Sequence, residues 1–236
     1  MRSALLITLL ISSTALSSQY TAWKDTTVSK NYLSISGALM ATGFLINGDN
    51  TRKDIQEWVQ EQIPVQDYKL DDFLQHAPIV GVITSDLLLK RSKGERQRHI
   101  RHLLVSEGAA LGTMFLLKSI LDEERPNGGS LSTPSGHSTY VFASAGVLYH
   151  SLRDDHPFWA YSGYVVGTFV AASRVVKNRH WLSDVMIGAG LGILSSHLSY
   201  HLDVWDSRDN TQKENSIIKN VSLGLTPLGA GLTVQF

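Results

Sequence analysis

The sequence predicts an all-α fold, a helical bundle with a short C-terminal β-hairpin as an appendage. Two patterns carry that expectation. Apolar residues recur at helical spacing over Ser138–His150, Phe158–Val176 and Leu182–Tyr200. Near the C-terminus the period changes: Val221, Leu223 and Leu225 alternate, and after a turn at Thr226 and Pro227 so do Leu228, Ala230, Leu232, Val234 and Phe236. A chain of 236 residues suits one well-buried core. It has no cysteine, which excludes disulfides and thiol chemistry and leaves stability to the core. The 21 basic and 21 acidic residues balance, which by itself says nothing about nucleic acid, and no nucleic-acid partner is expected.

Taken in order, residues 1–18 join Arg2, the apolar run "ALLITLLI" and small residues, the layout of a secretory signal peptide cleaved near Ser17 or Ser18. A first transmembrane anchor is the alternative. Residues 19–70 form a polar leader and scaffold helices. In "NTRKDIQEWVQEQIP", Thr51 and Asp54 have capping-box spacing. Ile55, Trp58, Val59 and Ile63 line one face, and Pro64 closes the helix. Uncharged stretches at Asn31–Gly48, Pro157–Ser173 and Val185–Leu202 approach the lower limit for a bilayer span. Their Gly, Ser, Thr, Asn and His content reads better as buried helices of a soluble or membrane-surface bundle.

Residues 71–203 hold the main bundle. From Asp71 to Leu121 two helices are expected around a basic segment, Lys90, Arg91, Lys93, Arg96, Arg98 and Arg101, taken as a solvated face or loop. Attraction to anionic lipid head groups is its alternative role. His99 with His102, and His197 with His201, have spacings open to metal binding. Neither pair has a carboxylate at a recognised spacing, so surface histidines and no metal are expected. The "GAGLG" run, Gly188–Gly192, lets another helix approach closely. It lacks the preceding strand and following lysine of a phosphate loop. Residues 204–236 are the tail with the hairpin.

Three segments carry chemistry. In "SRVVKNRHWLSD", Asp184 stands four residues after His180, on the same helical face, and can orient its ring. In "TPSGHSTY", a turn at Ser135 and Gly136 runs into a helix, offering a hydroxyl and backbone N–H groups to an anion beside His137. In "KSILDEERP", Lys118 precedes Arg125 by seven residues, about two helical turns, so both cations can project to one side. Arg174 adds a third cation.

These three segments resemble the signature motifs of the type 2 phosphatidic acid phosphatase (PAP2) superfamily, which also includes bacterial acid phosphatases and vanadium haloperoxidases. The resemblance extends from about Asp71 to Tyr200 and implies a helical bundle of the PAP2/acid phosphatase type. It also implies a phosphatase needing no metal or other cofactor. His180 becomes the nucleophile, Asp184 its orienting partner and His137 the general acid and base. Lys118, Arg125, Ser135, Gly136 and Arg174 hold the phosphate. The substrate expected is a lipid phosphate of the cell envelope (lipid A, undecaprenyl pyrophosphate or phosphatidylglycerol phosphate), met through a peripheral membrane contact by an exported, periplasm-facing protein. A soluble broad-specificity acid phosphatase is the alternative, and an inactive binding or structural relative the one from another class. Lys177 and Arg179 lie off the motifs and are read as surface charge. Two departures concern the substrate: Asp122, Glu123 and Glu124 weaken phosphate attraction unless they face solvent, and Thr133 stands where relatives often have an aromatic wall for the leaving group.

Overall fold

The computed structural model describes residues 27–65, 68–202, 220–226 and 229–235. The expected signal peptide, the leader up to residue 26, residues 203–219 of the tail, and Pro227, Leu228 and Phe236 of the expected hairpin lie outside them. In chain order the described helices are α1 (Thr27–Leu45), α2 (Asp49–Gln62), α3 (Leu70–Leu74), α4 (Ala77–Leu88) and α5 (Lys93–Leu121). They continue with α6 (Gly136–Leu152), α7 (Pro157–Ala160), α8 (Ser162–Val176) and α9 (Leu182–His201). The main unit is all-α, as the periodicity predicts.

Helix α9 is central and packs on α6, α1 and α5. Its glycines make this possible. A Cβ at Gly192 would stand 2.5 Å from the Thr139 carbonyl oxygen and 2.7 Å from the Ala143 nitrogen, and one at Gly188 2.7 Å from the Ser135 oxygen. Both contacts are backbone of α6 or its cap. Gly190 turns the other way, where a Cβ would lie 2.7 Å from the Ser36 oxygen of α1. Gly192→Ala therefore forces α6 and α9 apart and should cost about 1–3 kcal/mol, measured as a lower thermal midpoint. Gly108→Ala, with nothing within 4 Å of the added carbon, should hold or raise the midpoint. The core on one side joins Val141, Phe142, Val170, Val175, Val185 and Ile193. A second cluster, with Val82, Leu103, Val147 and Leu148, ties in α4 and α5.

Several expectations change. The basic segment is mostly helix, because Ser92 caps α5 and forms a capping box with Glu95, so Lys93 to Arg101 are its first turns. Three helices, not two, run from Leu70 to Leu121. Helix α2 starts at Asp49 behind Gly48, which gives no side-chain cap, so no box forms at Thr51. Its face is also turned: Gln56 is buried while Trp58 and Ile63 are exposed. Gln56 donates to the Val175 carbonyl and to Asn178 Oδ1, and Gln60 to the Val175 and Val176 carbonyls, so α2 caps the C-terminus of α8. His102 and His197 are core residues, with His102 stacked on Tyr200 at 3.7 Å and His197 on Tyr32 at 5.4 Å.

Helix α5 is, among the described residues, the one long and apolar enough to cross a membrane. Leu104, Val105, Phe115, Leu116 and Ile120 are exposed along it. The C-terminal unit is described by itself: β1 (Asn220–Thr226) pairs antiparallel with β2 (Gly229–Gln235), Val221 opposite Val234 and Leu223 opposite Leu232.

Candidate active site

The expected site residues converge from three places: the end of α5 and the loop after it, the start of α6, and the turn joining α8 to α9. That turn is built locally. Asn178 adopts positive φ, and the backbone N–H groups of Arg179 and His180 both donate to the Arg174 carbonyl. The chain thus doubles back, and His180 sits just before α9 with Asp184 in its first turn.

His180 is 2% exposed, and its Nδ1 lies 3.1 Å from Asp184 Oδ2. Asp184, fully buried, also accepts from the Trp181 backbone N–H at 3.0 Å and from the hydroxyls of Ser132 and Thr133. Burial raises the Asp184 carboxyl, but the bonds from His180, Ser132 and Thr133 outweigh it and hold it below its ordinary range. It stays an anion. With Nδ1 engaged there, Nε2 is the ring atom free to react. Burial pushes the His180 imidazole down to about 4 despite Asp184, with Arg125 and Lys118 adding to the fall. His180 is therefore uncharged at neutral pH.

Arg125 and Lys118 lie close to this ring, and Arg174 lies close to Arg125. Lys118 is buried and donates through Nζ to the carbonyls of Leu131 and Ser132, the strand of loop entering α6. Arg125 donates from Nε to the Ser130 carbonyl at 3.1 Å. Arg174 is 8% exposed and gives Nη1 to Asp71 Oδ2 at 2.8 Å, while its buried Nε has no partner among the described residues. A buried guanidinium donor without a partner suits an incoming oxyanion. Ser135 caps α6: its Oγ accepts from the Ser138 N–H, and its own N–H donates to the Asp184 carbonyl at 3.0 Å. The hydroxyl thus has a structural duty as well. Gly136, first residue of α6, lies where backbone N–H groups point out of a helix. His137 follows, a quarter exposed, with Nε2 2.9 Å from Asp72 Oδ1.

Two readings of the sequence are corrected. Lys177 is not a surface charge: it is 7% exposed and donates to Asp71 Oδ1 at 2.9 Å and to the Tyr68 carbonyl. Arg179 is exposed. Thr133 is buried against Asp184, with its hydroxyl also 2.8 Å from Glu123 Oε2, so it helps hold the carboxylate that bonds His180. Glu123 does not face solvent, yet it is neutralised: Asn47 donates to it at 2.7 Å and Arg52 at 3.1 Å. Asp122 and Glu124 are exposed.

The sequence reading missed Asp71, Asp72 and Arg52. Asp71 and Asp72 appear in the sequence as a plain acidic pair at the start of a short helix. Their partners Arg174 and Lys177 lie about a hundred residues on, where no local spacing shows them. Arg52 stacks over Trp181 at 5.1 Å and so ties α2 to the turn that carries His180.

The sequence pattern of the PAP2 superfamily matches residues 100–208. That segment, a little under half of the chain, carries the superfamily's pattern. Over 88 residues, 37% of this chain, it is 40% identical to the lipid A 1-phosphatase of Porphyromonas gingivalis, and over 108 residues, 40% of the chain, it is 33% identical to diacylglycerol pyrophosphate phosphatase 1 of Saccharomyces cerevisiae. The matched stretches span only 20% and 37% of those curated relatives. Among solved structures, Aquifex aeolicus LpxE aligns with a TM-score of 0.46 at 19% identity, covering 61% of this chain and 93% of that one. A transmembrane PAP2-type phosphatidylglycerolphosphate phosphatase from Bacillus subtilis aligns with a TM-score of 0.49 at 21% identity, covering 73% and 95%. The matched segment takes in Lys118, Arg125, His137, Arg174, His180 and Asp184 together.

Proposed function

We propose that this protein is a metal-independent phosphatase of envelope lipid phosphates that works through a phosphohistidine on His180. The observation that carries the reading is a buried, neutral imidazole with Nδ1 held by an anion, Arg125 and Lys118 close to it and Arg174 close to Arg125. Nε2 attacks phosphorus, the bond to the leaving oxygen breaks, and His137 gives that oxygen a proton. Water then attacks phosphorus, His137 takes its proton and the P–N bond breaks, releasing phosphate and restoring the imidazole. Lys118, Arg125, Arg174 and the first N–H groups of α6 balance the charge on the non-bridging oxygens.

The lipid substrate rests on α5. Its exposed apolar side chains suit acyl chains, and Lys118 near its last turn brings the site to the membrane surface. The basic residues Lys90 to Arg101 crowd its other end. A helix crossing with that end in the cytoplasm obeys the positive-inside rule and opens the site to the outer side. Lipid A 1-phosphate, undecaprenyl pyrophosphate and phosphatidylglycerol phosphate all present a terminal phosphoryl group there, and two relatives are named for lipid phosphates.

The test is phosphate release by the purified protein in EDTA from these lipids in mixed micelles and from p-nitrophenyl phosphate, with acid-labile, base-stable phosphoenzyme trapped on brief mixing. Release in EDTA with a lipid preferred is expected. Loss of activity in EDTA, or no phosphoenzyme, defeats the mechanism, and preference for the water-soluble ester defeats the lipid assignment. After correction for substrate ionisation, kcat/KM should rise as pH climbs through about 4, where His180 loses its proton. It should fall again below the ordinary histidine value of 6.5, because burial and Arg174 lower His137 more than Asp72 and Asp71 raise it.

A further inference from the structure

We infer that Asp72 is the positioning carboxylate of His137, giving the site a second histidine–aspartate dyad assembled across the fold. This rests on the phosphatase reading above and assigns a residue to it that lies outside the three motif segments. Asp72 belongs to α3, and its Oδ1 lies 2.9 Å from His137 Nε2 and 3.5 Å from Arg174 Nη1. The contact therefore joins the proton-handling histidine to a phosphate-gripping arginine. It mirrors the nucleophile's own arrangement. Asp184 holds His180 by Nδ1 and leaves Nε2 free, whereas Asp72 holds His137 by Nε2 and leaves Nδ1 to give the leaving oxygen its proton. Fixing one ring nitrogen selects the tautomer and the direction of the other.

The two acidic neighbours on α3 divide the work. Asp71 is fully buried and shared between Arg174 and Lys177, so it anchors the short helix to the end of α8. Asp72 is half exposed and bonds the His137 ring. The charges facing His137 are Asp72 and Asp71 from α3 and Arg174 from α8. On its own helix Tyr140 follows one turn later, its hydroxyl 3.0 Å from His76 Nδ1. Of these, Asp72 alone bonds the ring. Losing its charge leaves Arg174 less opposed and makes the imidazolium harder to form.

The experiment compares wild type, Asp72→Asn and Asp72→Glu on phenyl phosphate and p-nitrophenyl phosphate, two esters of one shape whose leaving groups differ in their need for a proton. Asp72→Asn should lose at least tenfold in kcat on phenyl phosphate and less than threefold on p-nitrophenyl phosphate, in line with the usual worth of general acid catalysis, about 10²–10⁴-fold. Its alkaline limb should move down by about 0.5–1 pH unit, the low end of a neighbouring charge's influence because Asp72 is half exposed. Asp72→Glu should regain part of both. Equal losses on the two esters with an unmoved limb, or no loss at all, overturn the assignment, the first outcome showing that Asp72 only packs α3. If Asp72→Asn fails to fold, Asp72→Ser is read the same way. A His180→Ala protein that still releases phosphate defeats the underlying phosphatase reading and this inference with it, a result separate from any behaviour of Asp72.

Discussion

The Asp184→Asn protein should release phosphate about 10³–10⁴-fold more slowly than wild type, the scale on which an orienting aspartate acts when its histidine falls into the wrong tautomer. The cause is a count of donors and acceptors. The carboxylate takes four hydrogen bonds, from His180 Nδ1, the Trp181 N–H and the hydroxyls of Ser132 and Thr133. An asparagine offers one oxygen, and its NH2 meets groups that are themselves donors. Either His180 turns its ring to accept from the amide, which puts a proton on Nε2 and removes the nucleophile, or Ser132 and Thr133 lose their acceptor. Because the site is fully buried, each unpaired donor also costs about 1–3 kcal/mol of stability. Single-turnover phosphate release and a thermal unfolding curve measure the two effects separately. A rate within tenfold of wild type would show that Asp184 does not set the state of His180.

That residue was legible in the sequence because its partner is one helical turn away, and the same holds wherever a contact is local. His180 with Asp184 and Ser135 at the head of α6 follow from spacing alone. The "GAGLG" run announces close packing, although only the coordinates show that Gly188 and Gly192 face α6 while Gly190 faces α1. Ser92 and Glu95 hold a capping box in plain sight, and the density of charge around them hid it by suggesting a loop. Helix α2 defeated the reading for another reason. Its apolar residues suggest a buried face, but the surface it meets is the carbonyl end of α8, which demands donors, so Gln56 and Gln60 go inward and Trp58 outward. His102 and His197 were misplaced because stacking with Tyr200 and Tyr32, across three helices, leaves no trace in sequence spacing. The acidic pair Asp71 and Asp72 was invisible on the same ground.

Lys177 and Arg179, two cations in one loop, should behave in opposite ways. Lys177→Ala should lose about 3–5 kcal/mol, the cost of breaking a buried ion pair from one side, and Arg179→Ala less than about 0.5 kcal/mol. Lys177 and Arg174 share the fully buried Asp71, and Lys177 also serves the Tyr68 carbonyl, so its removal strands two acceptors. Burial raises the Asp71 carboxyl, yet the bonds from Lys177 and Arg174 prevail and its pKa is lowered from 3.8. A lowered carboxyl gives stability that is complete above 3.8 and disappears as pH falls through the folded value. The gap between wild type and Lys177→Ala should therefore be full at neutral pH and close under strong acid. The same change alters catalysis. With Lys177 gone, the whole charge of Asp71 acts on Arg174 and competes with phosphate for it, so KM should rise by more than kcat falls. Denaturant unfolding at pH 7 and pH 3, with steady-state kinetics on p-nitrophenyl phosphate, measures all of this. Equal stability losses in the two variants, or a gap that widens in acid, would show that Asp71 does not hold the end of α8 through Lys177.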